Sequence, residues 1–390
     1  MRETRLAQSI IFDFYSAHEF SKQLQDVSAI IDKLPDILPL LSSDLQGANT
    51  TCVGRKALSV ESTFRCLLLK QKLGVSYQQL SFHLSDSPTY RSFARLDSDQ
   101  FPSKSALQAN IRRIQPETLE AVFSYITQQG VGERMVDPST IRIDSTVVKS
   151  LIAPPSDSQL LNDGVRVLSR YLAKSSSMTG TKIRFKDFRK TAKSLSYRIF
   201  YAKNAEKEVL YRALISVAEK VIGQADRGLA QVQEKETHAA GMLEWSSSLA
   251  HYRVLTARIV DQATRRVVHG EKVPASEKIV SLFEEHTDII IKGARDIDYG
   301  HKINVASDLR GLLTSVQIEE GNPSDSDRYL PVIENHINLY GHAPETVVAD
   351  GGYASMANVE KAKALSVRRP VFHKKRGLTL ICDGGEGKNV

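Results

Sequence analysis

Two aspartates carry the chemistry this sequence suggests. Asp144 stands in "STIRIDSTVV", residues 139–148, and Asp350 follows "TVVA" and precedes Gly351 and Gly352. Two carboxylates delivered by neighbouring strands can share hard divalent cations, which take oxygen ligands and keep positions open for water and phosphate oxygens. Two such ions clamp the attacking and leaving oxygens of an in-line phosphoryl displacement. A third acid is normally wanted, because two carboxylates leave the ions short of ligands. The competing reading makes Asp350 a plain turn former before two glycines.

The elements that must position these groups can be read from periodicity. Ile141 and Ile143 alternate with polar residues around Asp144, as in a β-strand. Val347, Val348 and Ala349 form a short apolar run that the glycines end, and Ser355 can cap the helix that follows. Asp350 would then sit at the carboxyl end of a strand, where open α/β sheets place functional groups. Before residue 140 the patterns are helical, with breaks expected at Pro35 and Pro39. "LSVESTFRCLLLKQKLG" offers Ser59 as a cap, an apolar stripe through Phe64, Leu67, Leu68 and Leu73, and Gly74 as a stop. Ser76 and Gln79 have capping-box spacing, and Ser103 or Ser105 can start the helix that ends near Arg112 and Arg113. From about 158 to 286 long helical patterns run, with Trp245 at core spacing beside Leu243 and Leu249. Strands resume at "HKINVASD" and "LLTSVQIEEG", with Asp296, Asp298 and His301 read as a polar loop before them. A helix with Asn322 and Asp325 as its caps follows, and "VRRPVF" is the last strand.

The 390 residues carry a net charge of +7, with 41% hydrophobic and 25% charged residues, ordinary for a globular protein. No apolar run reaches membrane-spanning length, and the first twenty residues lack a signal peptide's apolar core. Cys52, Cys66 and Cys382 are scattered and make no metal pattern, which suits a reducing cytoplasm. The positive charge is concentrated: residues 181–220 hold 11 Lys and Arg against 4 Asp and Glu, and residues 361–390 hold 8 against 2. Aromatic residues interleave with the first block in "KIRFKDFRKTAKSLSYRIFYAK". That combination points to a polyanion, and nucleic acid is the commonest such partner. Arg112, Arg113, Lys186, Arg189, Lys190, Lys374, Lys375 and Arg376 are the candidate contacts, against the competing reading of solvated charge.

With these residues in view the chain resembles a known family. "RIDSTVVKS" and "PPSDSQLLNDGVRVLSR", then the block from "YGHKINVASD" through "ETVVADGGYASM" to "FHKKRGL", look like the DDE transposases of bacterial insertion sequences. More narrowly, it resembles the group with a long helical insert after the first catalytic strand. The segment "LSVESTFRCLLLKQKLGVSYQQLSFHL" is similar to the helical amino-terminal domain of such enzymes, and the resemblance runs from about residue 58 to 380. It implies an α/β fold: a ribonuclease H-like catalytic core with a mixed sheet, interrupted by the insert and preceded by a helical DNA-binding domain. Mapped onto this chain, residues 1–57 are an N-terminal helical segment and 58–130 the DNA-binding domain. The core takes 131–157 and 296–380, the insert 158–295, and 381–390 make an aberrant tail.

The resemblance also implies Mg²⁺ or Mn²⁺ as cofactor, held by Asp144 and Asp350 as the first two catalytic acids. It further implies a homodimer on the element's terminal inverted repeats and target DNA, and a cytoplasmic, nucleoid-associated location. The family's third acid is a helix-borne glutamate. Glu386 lies instead in the glycine-rich stretch "ICDGGEGKNV", which suggests a truncated or frameshifted copy that is catalytically incomplete. Three functions follow as expectations: a strand-transfer enzyme lacking its third acid, a DNA-binding remnant that occupies element ends or inhibits an intact transposase, and a related metal-dependent nuclease. Asp157 and Asp163 are read as turn and cap residues rather than ligands. Tyr353 is read as packing under the turn, with base stacking as the alternative.

Overall fold

A computed structural model describes residues 18–45, 57–234, 241–292 and 296–373. Among them no helix is long and apolar enough to cross a membrane. The chain forms two compact units. The first takes residues 1–141, 307–315 and 335–344, and the second takes 142–306, 316–334 and 345–390.

Among the described residues the first unit contains α1 (Glu19–Lys33), α2 (Ile37–Leu45), α3 (Val60–Leu73), α4 (Tyr77–Asp86), α5 (Pro88–Ala94), α6 (Lys104–Ile111) and α7 (Pro116–Gly132). Their starts follow local cap chemistry. Ser59 accepts the Ser62 amide, Ser76 and Gln79 close a full capping box, and Ser103 rather than Ser105 starts α6. Pro39 does not break its helix as expected. It lies in the first turn of α2, where its missing N–H would have had no intrahelical partner. Leu24, Leu41, Phe64, Leu69, Leu80 and Leu107 form the core, and burying each contributes about 1.5–3 kcal/mol. Arg65 is fully buried among these residues. Its guanidinium bonds Glu61 and Asp32 at 3.0 Å each and Ser28 at 2.8 Å, joining α1 to α3.

The second unit begins with β1 (Thr140–Lys149), whose residues from Arg142 onward belong to it. Then come four helices: α8 (Asp157–Thr179), α9 (Arg189–Tyr201), α10 (Asn204–Gln233) and α11 (Met242–Ala263). These helices have a core of their own, including Leu161, Leu168, Leu214, Val221, Trp245 and Ile259. Trp245 is fully buried and donates its ring N–H to the Tyr171 carbonyl at 2.8 Å. Asp157 is closed off by Gln262 and Arg266, at 2.8 and 2.7 Å, and Asp163 pairs with Arg166 at 2.7 Å. Both serve the helices.

After the helices come β2 (Asp288–Lys292), β3 (Asp296–Ser307), β4 (Leu313–Ile318), α12 (Asp325–Tyr340), β5 (Thr346–Ala349), α13 (Met356–Ala364) and β6 (Arg369–Phe372). The six strands make one mixed sheet in the order β2-β3-β1-β5-β6, with β4 also on β3. β2 and β3 are antiparallel, whereas β5 and β6 are parallel. Asp296, Asp298 and His301 are not in a loop but in β3, because Ile290 of β2 pairs with Asp298 and extends the ladder. Gly300 lies where β3 meets β1: a Cβ there would drive into the Val148 carbonyl oxygen. Only glycine lets the two backbones come that close.

The end of α12, residues 335–340, belongs to the first unit and carries His336, which is fully buried with neither ring nitrogen hydrogen-bonded. Burial, with the His342 charge adding, pushes its pKa down to about 4. The unfolded imidazole takes its proton near pH 6.5 and the folded one resists to about 4. Stability contributed by the neutral ring is therefore complete above pH 6.5 and is lost as pH falls toward 4. The slope approaches about 1.4 kcal/mol per pH unit and totals up to about 3 kcal/mol. Urea midpoints measured between pH 7.5 and 4 should fall accordingly, and His336→Leu should flatten the curve relative to the wild type. Equal slopes in the two proteins would count against the assignment.

Candidate active site

The sheet order decides where the two aspartates go. β1 and β5 are hydrogen-bonded neighbours, so Asp144 within β1 and Asp350, one residue past β5, come from adjacent strands. Both side chains are exposed. Each carboxylate is oriented by a backbone amide: Ser145 N–H donates to Asp144 Oδ1 and Gly352 N–H to Asp350 Oδ1, both at 2.8 Å. The second oxygen of each is left for other partners.

Beneath the acids lies a buried bracket centred on Tyr353. Its ring is fully buried, and its hydroxyl donates to Asn304 Oδ1 of β3 at 2.8 Å. Burial pushes the phenol pKa well above its ordinary value. The Asp325 charge pushes the same way, as do those of Asp144 and Asp350, while a hydrogen bond with Ser145 pulls it down. All three aspartates thus act on one phenol. Base stacking by Tyr353 is ruled out by its burial, and packing under the turn is what it does. Asn358, one turn into α13, completes the bracket. It donates to the Tyr353 carbonyl at 2.9 Å and the Ser326 carbonyl at 2.8 Å, binding the Asp-Gly-Gly-Tyr turn to the start of α12.

Asp325 and Asn322 do not cap α12 as the sequence suggested. Ser324 takes that role, accepting the Asp327 amide, and Asn322 donates to the Ile291 carbonyl. Asp325 faces Lys302 of β3 instead, with Nζ to Oδ1 at 2.7 Å. Glu319 is nearly buried and is held by Asn304 and Arg328, each at 2.7 Å. Lys302 and Asn304 were missed in the sequence and Asp325 was read only as a cap, yet a signal was present. Gly300, Lys302, Asn304 and Ala306 alternate onto the buried face of β3, and a lysine and an asparagine on such a face require partners.

Among the described residues no three His, Cys, Asp or Glu side chains form a group able to hold a metal ion. The donors nonetheless suit a hard cation: exposed carboxylate oxygens on two adjacent strands, with a gap over Gly352. A Cβ built on Gly352 would lie 3.0 Å from both Asp350 Oδ1 and Asp325 Oδ2. Its φ is not left-handed, so the glycine is needed for room rather than for backbone conformation.

Residues 15–113 match the family described as a transposase domain (DUF772), and residues 256–376 match the transposase DDE domain family. The chain belongs to the DDE transposases of insertion sequences. Searches of curated proteins and of solved structures find no match to it. The transposase has the ribonuclease H-like mixed sheet that its DDE domain entails, together with a helical region ahead of it.

The basic candidates fall in separate places. Arg112 and Arg113 are exposed at the end of α6 in the first unit. In the second unit Lys186 stands over the Phe188 ring at 5.3 Å and shares a groove with Arg184, Lys220 and Arg227. Arg189 is occupied by Asp187, with bonds of 2.7 to 3.0 Å. Lys190 lines a second groove with Lys193, Tyr197 and Phe200. Lys374, Lys375 and Arg376 lie outside the described residues, as does Glu386.

Proposed function

We propose that the transposase binds double-stranded DNA at its element's terminal repeats. We propose further that it performs metal-dependent phosphoryl transfer, cleaving and joining strands, at a centre built on Asp144 and Asp350. The observation that carries this reading is the pairing of β1 with β5, which makes two residues far apart in sequence neighbours across one strand spacing. Mg²⁺ or Mn²⁺, when bound, would supply Lewis-acid polarisation of the phosphoryl oxygens and a nucleophilic water. The chain's own groups do the rest. The Ser145 and Gly352 amides orient the carboxylates, and Tyr353 with Asn304 supports the turn that carries Asp350. The basic residues of α6 and of the helical insert would take the phosphate backbone. The homodimer that the resemblance implies belongs to the same reading.

The second reading is a DNA-binding protein without strand transfer, which occupies ends or inhibits an intact transposase. It is favoured by the lack, among the described residues, of a ready group of three metal-binding side chains.

A gel shift against terminal-repeat DNA across salt tests what the two readings share. Affinity should fall by at least about tenfold between 50 and 200 mM salt, because released counterions drive phosphate contacts. A shift that is absent, or indifferent to salt, would remove both. Mg²⁺-dependent nicking of the same DNA separates them.

A further inference from the structure

We propose that the outer face of α9 binds unpaired nucleotides of single-stranded DNA. Lys190 and Lys193 would take the phosphates, and the rings of Tyr197, Phe200 and Tyr201 would take the bases. The inference goes beyond the duplex binding argued above and does not depend on strand transfer.

α9 packs one side inward and leaves the other bare. Ala192 and Ile199 are buried in the core of the insert. Lys190, Lys193, Tyr197, Phe200 and Tyr201 recur at intervals of three, four, three and one residues, which puts them together on the opposite face. Tyr197, Phe200 and Tyr201 are 66%, 77% and 67% exposed. Single exposed apolar side chains are ordinary, but a cluster of large rings marks a surface made for a partner. Tyr201 lies 4.8 Å from Tyr197 and 5.0 Å from Phe200 between ring centroids, at interplanar angles of 52° and 77°. The rings brace one another at an angle, so they do not cover one another's flat faces.

Charge decides what covers this face. From Phe188 to Ala205 the chain has five Lys and Arg and no Asp or Glu. Asp187, just ahead, is taken up by Arg189. A second copy related by a two-fold axis would set these cations against themselves, so a polyanion fits where self-association does not. Duplex DNA offers phosphates, but its bases are already stacked and show only their edges, which leaves three exposed rings without a use. Unpaired bases present a flat π face to an aromatic ring whatever their sequence. Lys190, Lys193, Tyr197 and Phe200 line one side of a groove of about 530 Å³, and Gln159 and Asn162 of α8 line the other. Both amides carry donors and an acceptor for base edges. A strand laid along α9 thus meets cations first, then rings, with amides alongside.

Fluorescence anisotropy of the full chain with a labelled oligothymidylate, beside a random-sequence duplex of equal length, tests the assignment. Both ring positions are exposed on a helix, where alanine is the best helix former, so the double variant Tyr197→Ala with Phe200→Ala should fold. It should bind the single strand at least about tenfold more weakly than the wild type does, and the duplex within about twofold. Lys193→Ala should weaken binding to both and reduce the salt slope by about one. A double variant with wild-type affinity for the single strand overturns the inference, as does an equal loss on both DNAs. Should the double variant fail to fold, photocrosslinking of a bromodeoxyuridine-substituted strand to the wild type replaces it. Crosslinks within residues 189–201 are expected, and none there overturns the inference. Light scattering covers the other occupant. A wild-type dimer that the double variant splits, with oligothymidylate affinity unchanged, would make the face a contact between copies and overturn the inference. If terminal-repeat duplex is not bound while oligothymidylate is, the function proposed above fails and this inference stands. The reverse result sinks this inference alone.

Discussion

Asp350→Asn and Asp144→Asn are each expected to cut Mg²⁺-dependent nicking of terminal-repeat DNA by about a thousandfold or more, near 4 kcal/mol of barrier. The choice of asparagine isolates the chemistry. Each aspartate uses its Oδ1 to accept a backbone amide, from Ser145 or Gly352, and an asparagine oxygen can accept the same bond. The turn and the strand should therefore survive, with melting temperatures close to the wild type and gel-shift affinity within about twofold. What is lost is the negative charge that a hard cation needs, and a metal centre supplies several kcal/mol of transition-state stabilisation. Nicking by either variant at wild-type rate would end the active-site reading. A wild type that binds DNA but never nicks it would leave the second reading standing.

Arg65→Ala should have the largest effect on stability. The guanidinium is fully buried, and burial, the first cause, lowers its pKa, with the Arg95 charge adding and Glu61 and Asp32 opposing. Removing one member of a buried ion pair typically costs about 3–5 kcal/mol, because the partner charge stays behind in a poor solvent. Glu61 is almost fully buried but keeps a 2.7 Å bond from Arg95, which favours the lower end of that range. The Phe93 carbonyl and Ser28 hydroxyl also lose a donor. Urea unfolding should show the loss. The double variant Glu61→Leu with Arg65→Met should recover part of it, since apolar replacement of a whole buried pair is often tolerated. No change in Arg65→Ala would mean that the cluster contributes nothing net.

How much of this could be read from the residues depends on whether the deciding interaction is local. The caps at Ser59, Ser76 and Ser355 were legible because an N-cap needs only its own side chain and an amide two or three residues on. Asp144 and Asp350 were legible as strand-borne acids from the alternation of Ile141 and Ile143 and from the Val-Val-Ala run before Gly-Gly. Their adjacency was expected only through the resemblance, because pairing between β1 and β5 spans the whole helical insert and leaves no local trace. Asp325 was misread for an instructive reason. An aspartate at a helix start looks like a cap, and only Lys302, which is close in space and distant in sequence, shows that it faces elsewhere. Asp296 and Asp298 looked like loop because their own side chains are polar, whereas the ladder to β2 is made by backbone groups. The charge blocks were visible in composition, but not that Arg189 is already engaged by Asp187.

The four-helix insert has a hydrophobic core separate from the sheet and sits in the chain between β1 and the strands β1 must join. During translation β1 emerges roughly 200 residues before β5. At about 5–20 residues per second that is a wait of roughly 10–40 s. The insert can consolidate in that interval, while β1 stays an unpaired edge open to wrong partners. The ribosome thus completes the strand that carries Asp144 long before it supplies β5, and no nascent fragment lacking β5 can form the proposed two-aspartate centre.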